Sequence, residues 1–159
     1  MAQSQNEERK AWYHAFRNFK WNIVAGMKMA FPAKVISYDK KHHTADIQPL
    51  EMNSDGEVSA QYLDVPVVES CYIIDEIIER YKPELKTLDQ AAKTNLVDKL
   101  PKKKFMRVGV PVICVVLDRD NDNWEGGRKA NIFMPNSSRV HDANDAIIVG
   151  VLGGDAING

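Results

Sequence analysis

Residues 110–124, Val-Pro-Val-Ile-Cys-Val-Val-Leu-Asp-Arg-Asp-Asn-Asp-Asn-Trp, constrain what this chain can fold into more than any other stretch. The first half is a short β-branched apolar run behind a proline, which reads as a strand buried on both faces. A helix needs a longer run and disfavours this density of Val and Ile, whose χ1 freedom is lost against the preceding turn. The second half turns polar abruptly, alternates Asp with Asn as far as Trp124, and runs on to Gly126 and Gly127. Trp124 is expected to pack at the end of a small β-domain and anchor this turn, because a side chain of that size covers considerable area.

The flanking sequence supplies the other elements. Over residues 7–29, Trp12, Phe16, Phe19, Ile23 and Met27 recur every three or four positions and share one helix face. That stripe either folds back over its own domain or docks on another subunit, and the sequence leaves both open. Phe31-Pro32 should end the helix, since a residue before proline avoids helical angles. Residues 34–38 and 44–49 then read as a hairpin around a polar turn at 39–43, and residues 53–56 as a second turn. Residues 62–68 read as a third strand, with Pro66 marking an edge. From Cys71 to Leu100 the period changes: Ile74, Ile77, Tyr81, Leu85 and Leu88 repeat at helical spacing, with charges on the other faces. Pro83 predicts a kink, or a second helix starting there. Residues 106–117, 131–134 and 146–152 are the remaining predicted strands, ahead of a flexible tail.

Three strands, a helical segment and further strands form the element order of an OB-fold, a small Greek-key barrel. The predicted architecture is therefore mainly β with helical additions. A helix at 1–30 precedes a five- to six-stranded barrel at 31–153, which carries a helical insert at 72–100 between strands three and four. Residues 154–159 form the tail. At 159 residues and 44 % apolar, the chain suits one such domain with a real core. Its 21 basic and 22 acidic side chains leave a net charge of −1, against the positive excess usual in nucleic-acid binders.

No catalytic set emerges. Asp118, Asp120 and Asp122 match the first three ligand positions of an EF-hand loop, but Asn123 stands where Gly is needed and Lys129 where the closing Glu is needed. His42 and His43 point to opposite faces of a strand, so a zinc site would need a distant ligand such as His141. Cys71 and Cys114 lie in apolar surroundings and read as buried thiols rather than a disulfide or a nucleophile. No cofactor or metal is expected, and no enzyme activity. The N-terminus lacks the basic and apolar regions of a signal peptide, so folding in a cytoplasm is expected.

The stretches at 31–39 (Phe-Pro-Ala-Lys-Val-Ile-Ser-Tyr-Asp) and 45–50 (Ala-Asp-Ile-Gln-Pro-Leu) resemble the N-terminal OB domain of phage tail spike and baseplate hub proteins. The likeness continues through Leu63-Asp64-Val65-Pro66-Val67, Val115-Val116-Leu117-Asp118-Arg119-Asp120 and Trp124. It closes on Ser138-Arg139-Val140-His141 and Asp145-Ala146-Ile147. Asp46, Gln48, Pro49, Pro66, Asp118, Arg119, Trp124 and His141 carry the motif. The resemblance implies a structural virion protein, a homotrimer on the axis of a contractile-tail baseplate, assembled in the host cytoplasm. It would link the tail tube or hub to the tip and contact other tail and baseplate proteins. No small-molecule substrate or nucleic acid is expected, and membrane contact only through a separate tip. Trp12, Phe16, Phe19 and Ile23, with Ile74, Ile77, Tyr81, Leu85 and Leu88, are its candidate interface. An OB-fold that binds single-stranded nucleic acid is the alternative from the element order alone.

Overall fold

In the computed structural model, which describes residues 2–53, 55–125 and 130–157, apolar residues spaced by two become the inner face of one sheet. Helix α1 (Ala2–Gly26) is followed by β1 (Ala30–Asp39), β2 (Thr44–Pro49) and β3 (Tyr62–Pro66). A single 3-10 turn, Glu69–Cys71, leads into α2 (Ile73–Ala92); another, Val97–Lys99, follows it. Then come β4 (Pro111–Val116), a third such turn at Ala143–Asp145, and β5 (Ala146–Val151).

The five strands pair antiparallel in the order β3-β2-β1-β4-β5. β1 is long enough to serve two neighbours. Residues 33–39 pair with β2 and residues 30–34 with β4, and an irregularity between Val35 and Ser37 bends the strand. The sheet curls into a half-barrel until its edges meet at one point. There Val67 bridges Ile148 in parallel, and the Val68 amide donates to the Ile148 carbonyl at 3.0 Å. Inside lie Phe31, Val35, Ile47, Val65, Val112 and Ile148 with the small residues Ala33, Ala45, Cys114 and Ala146. Small side chains on the concave face leave room for so tight a curl.

Several sequence expectations change here. Phe31 and Pro32 do not end the helix; they belong to β1, with Phe31 in the core and the Pro32 carbonyl accepting the Leu50 amide at 3.0 Å. β4 is buried on one face only, and Val115 is partly open to solvent. It is also shorter than predicted, because the chain turns at Gly109, whose φ of 85° suits a residue without a Cβ. Residues 131–134 are not a strand: Ile132 is fully exposed, and among the described residues no strand pairs with the segment. Helix α2 runs through Pro83 without a break. Pro83 lies on an exposed part of the helix. The predicted tail is tied down in part: Ala156 is buried, its carbonyl accepts the Lys103 amide at 3.2 Å, and Asp155 holds Lys103 and Arg107. Gly126, Gly127, Lys129, Ser54 and the last two residues lie outside the described residues.

Candidate interaction surface

Helix α2 meets the barrel with its polar residues. Asp75, in its first turn, is buried and accepts the amides of Phe105 at 2.8 Å and Met106 at 2.9 Å. One turn on, Glu79 takes Lys40 from the β1–β2 turn and Lys104 from the segment before β4. Lys104 first and then Lys40 pull its carboxyl down to about 2. Between them His43 stacks flat on Tyr72, with ring centroids 3.9 Å apart. Its Nδ1 lies 3.2 Å from the Tyr38 hydroxyl and its Nε2 3.9 Å from Glu76. Burial first, then neighbouring acidic groups, raise the Tyr38 hydroxyl far above its ordinary range, so it stays protonated.

Because the base is polar, the apolar stripe of α2 points away from the barrel. Ile74, Ile77, Tyr81 and Leu88 are 45–54 % exposed, and only Leu85 is half-buried. A surface helix of a monomer does the reverse, placing its apolar face inward. At the far end Asp89 turns the chain back by accepting the Thr94 hydroxyl and the Leu96 and Val97 amides.

Helix α1 is more exposed still. Trp12, Phe16, Phe19 and Ile23 are 76, 73, 62 and 51 % exposed, so the helix does not fold back over its own domain. Tyr13, Trp21 and Val24 are open to solvent as well. Both predicted stripes therefore remain largely on the surface.

The motif residues work as fasteners. Asp46, at the irregularity between β2 and β3, accepts the Ser37 hydroxyl at 2.6 Å and the Asp64 amide at 3.0 Å. Those bonds hold Asp64 at a φ of 52° and lower the Asp46 carboxyl, the Ser37 bond contributing most. Gln48 donates to the Ser59 carbonyl at 2.7 Å, Pro49 is buried, and Pro66 pairs with Thr44 on the edge strand β3. Asp118 reaches His141 at 3.3 Å across the mouth of the long loop between β4 and β5, and Arg119 lies beside Asp118 in solvent. Trp124 is half-buried against Phe133, ring centroids 6.5 Å apart, rather than seated in the core. Trp124→Ala is therefore expected to cost about 1 kcal/mol in urea unfolding, the scale of one aromatic pair. A loss of 3 kcal/mol or more would place the ring in the core.

The sequence reading missed what holds that loop. Arg139 donates to the Asp145 carboxylate through Nε at 2.9 Å and Nη2 at 2.8 Å, and Nη2 also faces Asp122 at 3.3 Å and Asp120 at 3.4 Å. Asp145 also accepts the Asn121 amide, and Asp120 the Ser137 hydroxyl and the Asp122 amide. Among the described residues, Asp120, Asp122 and Asp145 are the only acidic or metal-ligating group close enough to share one ion. The Arg139 guanidinium already sits among them. Asp118, the first residue of the acidic turn, is not part of the cluster.

Neither histidine of the β1–β2 turn is oriented for a metal with His141: His42 Nδ1 is 2.6 Å from Asp39, and His43 faces Tyr38 and Glu76. Cys71 and Cys114 are free and buried, and burial pushes the Cys114 thiol up to about 12, which keeps it protonated at neutral pH. No helix among the described residues is long and apolar enough to cross a membrane. No protein-family model matches the chain, and no curated protein matches it.

Proposed function

We infer that this chain is a structural subunit of a contractile phage tail baseplate, a hub- or spike-type OB-fold domain that assembles as a homotrimer in the virion. The strand connectivity carries this reading. A meander β1-β2-β3, a helix between β3 and β4, β1 shared between β2 and β4, and a parallel bridge from Val67, just after β3, to β5 are compatible with an OB barrel and support the reading. The helical insert is then α2 with its return segment.

The surfaces fit a scaffold subunit. Two helices turn apolar stripes outward, while the polar and charged groups are spent on holding loops and on the base of α2. Such a distribution suits a protein whose partners are other proteins. Antibody raised against the chain is expected to label the end plate of contractile tail particles made by cells that carry the gene. Tail particles that contain no trace of the chain would overturn the assignment.

A further inference from the structure

We propose that α1 is the self-association element of the protein, a parallel helical bundle whose seam is Trp12, Phe16, Phe19 and Ile23. This rests on the trimeric reading above and adds which surface joins the copies. Three observations carry it.

The first is spacing. The four residues are separated by four, three and four positions, the alternation of the a and d seam of a coiled coil. The seam covers two heptads and ends where Gly26 offers no side chain.

The second is size. Three aromatics and an isoleucine at consecutive seam positions are too bulky for the narrow core of a two-stranded coil, and large side chains at both a and d favour three or more helices. In a three-fold assembly all copies run the same way. These side chains offer roughly 400–600 Å2 of apolar area per protomer, the larger part of the about 800 Å2 that each side of a standard interface buries.

The third is charge. In a parallel bundle the flanking positions set Glu8 against Tyr13 and Ala15 against Lys20, so no like charges meet along the seam. Arg9 is the one charged residue in phase with the stripe, and it lies at the outer end, where a long side chain can reach water.

The test uses the full chain, read by light scattering and by mild oxidation of an Arg9→Cys variant, with the two buried native cysteines left in place. Wild type is expected at about three times 18.0 kDa. Arg9→Cys should give one disulfide-linked pair per assembly, since position 9 meets itself only in a parallel bundle. Adding Phe16→Asp and Phe19→Asp should abolish the cross-link and release 18.0 kDa monomers whose barrel still unfolds cooperatively. A trimer that survives both aspartates, with no cross-link, would overturn the α1 seam and leave the trimeric reading standing. A wild-type monomer would overturn both. A monomer that binds anionic vesicles through Phe16 and Phe19 would give the face to a lipid surface instead.

Discussion

Arg139→Leu is expected to destabilise the protein by about 3 kcal/mol, because among the described residues it removes the only cation that sits within the three carboxylates. Asp145 is fully buried and Asp120 is 1 % exposed, so neither can recover the loss by turning to solvent. Both hold backbone: Asp145 takes the Asn121 amide, and Asp120 takes that of Asp122. Loosening either carboxylate would release the entry of the long loop, so the damage should centre there. The pH dependence has a definite sign. The Ser137 bond first, then the Asp122 amide and the Arg139 charge, hold the Asp120 carboxyl below its ordinary range. A carboxyl depressed in the folded state stabilises above its unfolded value, and that stabilisation is lost as pH falls through the folded one. Once the Asp120 carboxyl takes up its proton, the guanidinium has less to neutralise, so the gap between wild type and variant should narrow as pH falls from 7 to about 3. Urea unfolding at both pH values measures it, and a gap that is constant or widens would show that the cluster is not what Arg139 stabilises. Millimolar calcium should leave the wild-type melting temperature unchanged, since the guanidinium fills the place an ion would take.

This cluster also shows where reading a sequence stops. β5 was legible because a short β-branched apolar run reads as a strand, and β2 because its alternation of small or apolar with polar residues reports directly on which face is buried. The two helical stripes were legible for the same reason at the other period. The outward direction of the α2 stripe was not, because it depends on Asp75, Glu76 and Glu79 finding partners on the barrel. Phe31-Pro32 misled in a specific way: proline lacks only an amide, and on β1 its carbonyl does the bonding. Asp120 and Arg139 are 19 residues apart in number and meet only because β4 and β5 bring both ends of the loop together. The run of alternating Asp and Asn fails as a calcium loop at Asn123 and Lys129, and the residue that completes the cluster is a cation that no local pattern announces. Asp46 was legible as a motif residue, but its task of holding Asp64 at positive φ was not.

Asp75→Ala should have an effect of similar size at the other end of the molecule, about 3 kcal/mol. Asp75 is the hinge pin between α2 and the barrel. Its carboxylate accepts two backbone amides, at 2.8 and 2.9 Å, from the segment that leads into β4, and Met106 beside it is buried. Alanine leaves both amides without that acceptor, Met106 at a buried site and Phe105 at a partly buried one, and an unmet buried donor costs about 1–3 kcal/mol. Asn should fall between, since one amide oxygen can serve one of the two donors well while its own N–H2 faces the other. Glu79 makes a useful contrast. It is joined by two lysines, but it and both lysines are well exposed, so Glu79→Gln should change stability by less than about 1 kcal/mol. What Glu79 does contribute is full above its ordinary range, near pH 4.5, and fades as pH falls toward about 2. Hydrogen exchange separates the two residues further. In Asp75→Ala the amides of Phe105, Met106 and the first turns of α2 should exchange much faster, while β1 and β2 remain protected at the level set by the lowered global stability. Uniformly faster exchange with no excess at the α2 base would mean that Asp75 supports the barrel as a whole. A loss below 1 kcal/mol would mean that α2 is held by its apolar contacts after all.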